Sequence, residues 1–182
     1  ETERVVDRLL ACIDGVVEPA VLDIGTGSGC IALAAAHEKP DAEIVACDRS
    51  EAALEVARRN ARDLELEIAF ERADVGEEMF LPERQNAFDA VVSNPPYVSP
   101  SERASLEPEV REFEPETALF TPDDPLHFYR IIAEKSTNLL RSGGWLVVET
   151  HADHGTKVAD LLRSYGYGSV ELHDDWAGRP RV

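Results

Sequence analysis

Lysine is almost missing from this sequence: Lys39, Lys135 and Lys157 are the only three in 182 residues. All basic residues together number 18 against 36 acidic ones, a formal net charge of −18. No basic stripe exists to follow a phosphate backbone, and an acidic surface repels one. Sequence-independent nucleic-acid binding is therefore expected to be poor. Excess carboxylate suits a salt-rich surrounding that screens self-repulsion, or a basic protein partner, and the two are compatible.

Cysteine is scarce too. Cys12, Cys30 and Cys47 are odd in number and no pair has metal-ligand spacing. Cys30 and Cys47 fall on expected core elements, so reduced, buried thiols are expected rather than ligands or nucleophiles. Long apolar runs are absent: none approaches a membrane span, and the first residues lack the basic-then-apolar pattern of a secretory leader. A cytoplasmic location is the expectation. No repeat or low-complexity tract interrupts the chain, and its length suits one domain with a substantial core.

What is present is an alternation of strand and helix patterns, which argues for an α/β fold with a mostly parallel sheet. Val5, Val6, Leu9, Leu10 and Ile13 recur at helical spacing. Strands are expected at 20–24, 43–48, 66–70, 88–93 and 145–149, with terminal strands at 169–173 and 179–182. Helices are expected at 28–37, from a Ser50 cap to about Arg62, at 126–140 before Ser142-Gly143-Gly144, and at 154–165. Residues 98–124 are rich in Pro and Glu without periodicity, and a loop that long in a compact domain is more often functional than idle.

Gly25-Thr26-Gly27-Ser28-Gly29 follows the first strand and opens a helix. Glycines there let the chain turn sharply and let a ligand approach where a Cβ would clash. The third glycine comes one residue too early for a dinucleotide fingerprint. Asp48, ending the second strand about 20 residues on, is placed to accept hydrogen bonds from ribose hydroxyls, and Asp74-Val75, after the third, to frame an adenine. Turn and acid in this order point to an adenosine-containing cofactor.

Asn94-Pro95-Pro96-Tyr97 ends the fourth strand, since two prolines forbid further ladder pairing. A carboxamide oxygen at Asn94 and a rigidly held Pro95 carbonyl are two acceptors suited to a planar substrate NH2 group. They would draw electron density onto a nitrogen whose lone pair is otherwise delocalised, with Tyr97 as a wall. Such a site works by positioning. Among other polar residues, His127, His151, His154 and His173 share no metal-like spacing, and His37 ends a helix, where a cation is favoured. The acidic run Glu107–Glu116 reads as a solvated loop or as a contact surface for a basic partner. Trp145 and Trp176 are expected to pack.

These motifs resemble the class I S-adenosylmethionine-dependent methyltransferases, and most of all the HemK/PrmC family of protein-(glutamine-N5) methyltransferases. The likeness rests on Glu1-Thr2-Glu3, Val21 to Gly29, Asn94 to Tyr97, Phe113-Glu114-Pro115 with Ala118-Leu119, and Ala177-Gly178 with Arg181. It implies a Rossmann-like domain with a mostly parallel seven-stranded sheet across residues 1–182. It implies that Gly25, Thr26, Gly27, Ser28 and Gly29 line the methionine side of S-adenosylmethionine. Asp48 would hold its ribose, Asp74 and Val75 would meet the adenine, and Asn94 would also border the cofactor. Asn94 and Pro95 would orient a glutamine amide in the Gly-Gly-Gln loop of a peptide chain release factor, with Pro96 and Tyr97 completing the substrate pocket, and S-adenosylhomocysteine would be left. No metal, direct nucleic-acid contact or membrane is implied. The family's small helical N-terminal domain is not represented in residues 1–182, and Phe120 to Pro125 stand where the family is glycine-rich. The same Asn94 corner would also serve an enzyme that methylates a flipped nucleic-acid base, or a cofactor-binding module without turnover.

Overall fold

A computed structural model describes residues 2–105, 115–122 and 124–182. Five strands, β1 (Ala20–Ile24), β2 (Glu43–Asp48), β3 (Ala69–Arg72), β4 (Phe88–Ser93) and β5 (Leu140–Val148), form one sheet in the order β3-β2-β1-β4-β5. Every neighbouring pair is parallel. Among the described residues the α-helices are α1 (Thr2–Cys12), α2 (Cys30–Glu38), α3 (Glu51–Asp63), the single turn α4 (Glu116–Leu119), α5 (His127–Leu139) and α6 (Gly155–Ser164).

β1 lies at the centre and all five of its residues are buried, as a parallel strand covered on both faces requires. The two-residue period of a strand divides its side chains between two cores. Val21 joins Ile44, Ala46, Ala90 and Val92 beneath Val5, Leu9 and Ile13 of the first helical segment and Ile31, Ala32 and Ala35 of α2. Ala20, Leu22 and Ile24 join Val45, Cys47 and Val91 beneath Tyr129, Ile132 and Leu139 of α5 and Val158 and Leu162 of α6. α2 can lie close to the sheet because alanine dominates it. Ser50 caps α3 as expected, its hydroxyl accepting from the Ala53 amide at 3.3 Å.

Several expected boundaries move. α2 starts at Cys30 rather than residue 28, because Gly27 and Gly29 both have positive φ. Cys30 then sits exposed in the first turn, whereas Cys47 is buried as expected. β3 starts at Ala69 rather than Leu66, because the Leu66 amide donates back to the Ala61 carbonyl and closes α3. β5 begins at Leu140, so Ser142-Gly143-Gly144 lies within a strand instead of stopping a helix. The opposing ladder shifts register between Phe88 and Ala90 to absorb the irregularity.

Among the described residues the sheet has five strands, not seven. Residues 169–173 and 179–182 form no ladder; His173 and Val182 exchange backbone bonds, and the bridge beside them is antiparallel, Asp174 to Pro180. Pro180 has no amide to donate, and the Asp175 carboxylate gathers the Ala177 and Arg179 amides into a turn. Neither tryptophan packs as expected: Trp145 is 38% exposed and Trp176 81%. Trp176 instead carries the Arg4 guanidinium 4.8 Å from its ring centre. Of the acidic run, residues 107–114, Phe113 and Glu114 among them, lie outside the described residues, while Glu116 pairs with Arg103.

Candidate functional site at the carboxyl ends of the strands

Sheet register brings the expected residues into one row. Ile24 pairs with Cys47 on one side and Ser93 on the other, and Ser93 pairs with Val148. The next residue on each strand is Gly25, Asp48, Asn94 and Glu149. A parallel sheet thus puts the glycine turn, an acid, the asparagine and a second acid along a single edge, where open α/β sheets bind ligands.

The glycine turn is held from below. The amides of Gly25 and Thr26 both donate to the Cys47 carbonyl, at 2.9 and 3.0 Å. The Thr26 hydroxyl donates to Asp23 Oδ2 at 2.6 Å, and the Gly27 amide to Asp48 Oδ2 at 3.0 Å. Asn60 Nδ2 donates to the Ser28 carbonyl at 3.0 Å, tying the turn to α3. The three glycines have different reasons to be glycine. Gly25 and Gly27, at φ 73° and 58°, face open space, with nothing within 4 Å of where a Cβ would stand. At Gly29, φ 91°, a Cβ would lie 3.2 Å from Ala57 Cβ of α3 and from Leu33 Cδ1 of α2, so a side chain there requires these neighbours to give by a few tenths of an ångström.

Asp48 also accepts from the Ser50 amide at 2.8 Å through Oδ1. It braces both the turn and the start of α3, and a carboxylate accepting one amide per oxygen retains lone pairs for further donors. The Ala73 amide donates to the Asp48 carbonyl, bringing the half-buried Asp74-Val75 turn alongside. There Asp74 Oδ1 accepts from Gly76 at 2.9 Å, and Val75 packs against the α5/α6 core.

Beyond Ser93, whose buried hydroxyl donates to the Ile24 carbonyl at 2.7 Å, the chain leaves the sheet. Pro95 is buried, while Asn94, Pro96 and Tyr97 are half-buried. Val98 then exchanges bonds with the segment that replaces the expected glycine-rich stretch: its amide donates to Leu119, and its carbonyl accepts from Thr121. That segment is thereby fixed beside the corner. Asn94 Nδ2 lies 3.4 Å from Thr2 Oγ1. The Thr2 hydroxyl bonds Glu149 Oε2 at 3.0 Å, and the Tyr97 hydroxyl donates to Glu149 Oε1 at 3.2 Å. The Tyr97 ring leans on His151, centroids 5.8 Å apart.

Among the described residues no cluster of His, Cys, Asp or Glu could hold a metal, and no helix is long and apolar enough to cross a membrane. What remains is a cradle of backbone amides, two acids at strand ends and a rigid carboxamide. The sequence matches the methyltransferase small domain over residues 5–108, more than half of the chain. The chain belongs to the methyltransferase small domain family.

Curated relatives narrow the comparison. This methyltransferase domain is 42% identical over 163 residues to a release factor glutamine methyltransferase of Bacteroides thetaiotaomicron, covering 89% of this chain and 58% of that protein. It is also 42% identical to one of Xylella fastidiosa over 182 residues, covering 100% of this chain and 65% of the other. The chain thus spans about three fifths of these relatives' length. Among solved structures, TrmN from Thermus thermophilus superposes with a TM-score of 0.65 at 26% identity, over 97% of this chain and 46% of that one. A ribosomal protein L11 methylase from Lactobacillus delbrueckii subsp. bulgaricus shares the fold, with a TM-score of 0.64 at 18% identity, over 99% and 76%.

Two buried groups in this methyltransferase domain went unassigned in the sequence. Asp23, 1% exposed, lies directly beneath the glycine turn, and burial raises its pKa to about 6 despite the bond from Thr26. Glu149, 2% exposed, faces the Asn94 corner. One signal was available for both: each is an acid in or just after an otherwise apolar strand. Tyr129, whose hydroxyl donates to the Glu149 carbonyl at 3.0 Å, is buried and its pKa is raised, chiefly by burial. Burial likewise pushes the Cys47 thiol up, which makes it an inert core residue.

Proposed function

We propose that this domain transfers a methyl group from S-adenosylmethionine to the side-chain amide of the glutamine in the Gly-Gly-Gln loop of a peptide chain release factor. The observation that carries the reading is the Asn94-Pro95-Pro96-Tyr97 corner, one strand away from a glycine turn with open space before it. Relatives 41–42% identical over 89–100% of this chain are named release factor glutamine methyltransferases.

The residues present fit the cofactor. Gly25 and Gly27 leave a cradle that a Cβ would fill, Asp48 retains acceptor capacity for hydroxyl donors, and Asp74 with Val75 offers a polar group beside an apolar face. Thr26, Ser28 and Gly29 shape the turn, and Asn94 borders it across the sheet. When bound, S-adenosylmethionine supplies a methyl group already activated as a sulfonium.

The chain's own work is then to bind, orient and exclude water. Asn94 Oδ1 and the Pro95 carbonyl would each accept one N–H of the glutamine amide, holding the nitrogen in a single attitude. Two acceptors on one NH2 oppose delocalisation of its lone pair into the amide carbonyl. Pro96 fixes the turn and Tyr97 walls the pocket. No residue is called on as a covalent nucleophile. A base substrate is disfavoured by the net charge of −18, since flipping enzymes must also grip phosphates.

The test is methyl transfer from labelled S-adenosylmethionine to a purified release factor, beside a factor whose loop glutamine is alanine, in high salt and with the full-length enzyme. Label on the native factor alone is expected. Equal label on both factors, or none on either with cofactor binding demonstrated, overturns the reading.

A further inference from the structure

We infer that Thr2 and Glu149 set which way round the Asn94 carboxamide stands, so that its oxygen rather than its NH2 group meets the substrate. The inference rests on the proposed reading for its substrate, but the hydrogen-bond chain behind it belongs to the protein alone.

Glu149 is fixed through its main chain on both sides. Its amide donates to the Ser93 carbonyl at 3.0 Å, and its carbonyl accepts from Tyr129 at 3.0 Å. Its side chain is buried, and a buried carboxylate needs donors. Two hydroxyls meet it, Tyr97 on Oε1 and Thr2 on Oε2. Ionised, Glu149 has no proton to give, and then both hydroxyls donate to it. The single hydroxyl proton of Thr2 is thereby committed, and its oxygen has only lone pairs left for any other neighbour.

That neighbour is the Asn94 carboxamide at 3.4 Å. Facing a hydroxyl that can only accept, the carboxamide must present its NH2 group. The group is planar, with oxygen and nitrogen on opposite sides of one carbon, so Oδ1 points away from Thr2. Polarity thus runs in one direction, from Asn94 Nδ2 through Thr2 Oγ1 to Glu149. Reversing it would set an NH2 group against the substrate's own NH2, donor against donor. Thr2 and Glu149 are accordingly positioning residues, and Asn94 is the group they orient.

The chain joins residues far apart in sequence, 92 positions for Asn94 to Thr2 and 147 for Thr2 to Glu149. The start of α1 is therefore part of the site, beyond its role in covering the sheet. Replacing Thr2 by valine keeps the shape and removes the relay. Glu149→Gln is also close in shape but introduces a donor, which allows Thr2 to turn its proton toward Asn94.

The test has two arms. In the cofactor-free domain, the Asn94 side-chain NH2 resonances are followed by ¹⁵N NMR, assigned by their loss in Asn94→Asp. They are expected to move in Thr2→Val and Glu149→Gln and to stay near wild type in Thr2→Ser. In the full-length enzyme, kcat for release-factor methylation is expected to fall roughly fivefold in Thr2→Val, the factor one ordinary hydrogen bond is worth. Thr2→Ser should restore it, and KM and cofactor affinity should hold throughout. Unmoved Asn94 resonances in both variants overturn the inference, as does an unchanged kcat in an active enzyme. A wild-type enzyme that methylates nothing would sink the functional reading instead, and the NMR arm would still decide this one. Thr2 lies at the first turn of α1, so its variants remain informative should Glu149→Gln fail to fold.

Discussion

Removing the charge from Asp23 without changing its shape should alter how stability depends on pH. Asp23 is 1% exposed, and burial raises its pKa from 3.8 to about 6. A raised carboxyl pKa means that the folded state holds the proton more tightly than the unfolded chain. Ionisation therefore weakens the fold progressively as pH climbs from the unfolded value to the folded one, and the penalty is complete above about pH 6. At about 1.4 kcal/mol per pKa unit, the full penalty is about 3 kcal/mol. Near pH 4.5 the unfolded aspartate is already largely ionised, so about 1 kcal/mol is present there; the change up to pH 7.5 is about 2 kcal/mol. Asp23→Asn lacks this dependence. The substitution also alters the bond from Thr26 and adds an NH2 group needing an acceptor, but those effects are common to all pH values and cancel in the difference. Urea unfolding of both proteins at the two pH values measures it. The stability of Asp23→Asn relative to wild type should rise by about 2 kcal/mol from the lower pH to the higher. A constant offset would refute the reasoning and would mean that Asp23 is solvated or paired more fully than its burial implies.

The glycine turn separates strain from binding. Gly27→Ala, with φ 58° and open space ahead, should fold with a loss of about 1–2 kcal/mol and bind S-adenosylmethionine at least roughly tenfold more weakly by calorimetry. Gly29→Ala should lose more stability, because its Cβ meets Ala57 and Leu33 as well; equal losses for the two would contradict the packing argument. Tyr129→Phe leaves the Glu149 carbonyl without its donor and should lower stability by about 1 kcal/mol, measured by denaturant titration. Thermal unfolding should shift several degrees upward between about 0.1 M and 1 M NaCl, as the screening length falls from about 10 to 3 Å and relieves the repulsion of 36 acids against 18 bases. A flat salt response would show that these charges are too dispersed to oppose folding.

Where local chemistry dictates conformation, the amino-acid sequence was enough. Mostly apolar stretches of five or six residues marked β1, β2 and β4, Ser50 marked the start of α3, and the prolines after Asn94 marked the end of β4. The glycine turn, Asp48 and Asn94 were legible because each stands at a strand end, and a parallel sheet aligns such ends. Boundaries failed where a distant or opposing bond overruled a local signal. Ser142-Gly143-Gly144 reads as a helix stop, yet Leu140 and Trp145 on either side of it pair with β4 and carry it through as an irregularity in the strand. Leu66 reads as strand, yet closing α3 claims its amide. The C-terminal segments carry strand composition, but the Asp175 turn and Pro180 take them out of the ladder.

By itself, then, the sequence determined the alternating α/β plan, the turn that suits an adenosine cofactor and the carboxamide corner, all of which depend on neighbours within a few residues. Tertiary structure alone decided that Gly29 is crowded by the approach of α3, while Gly25 and Gly27 face open space. It alone buried Asp23 beneath the turn and joined Thr2 to Glu149 and Asn94 across 147 and 92 positions. The physical reason is common to all of these. Burial, close approach and the direction of a hydrogen bond are set by which surfaces meet, and sheet register, not chain proximity, brings those surfaces together.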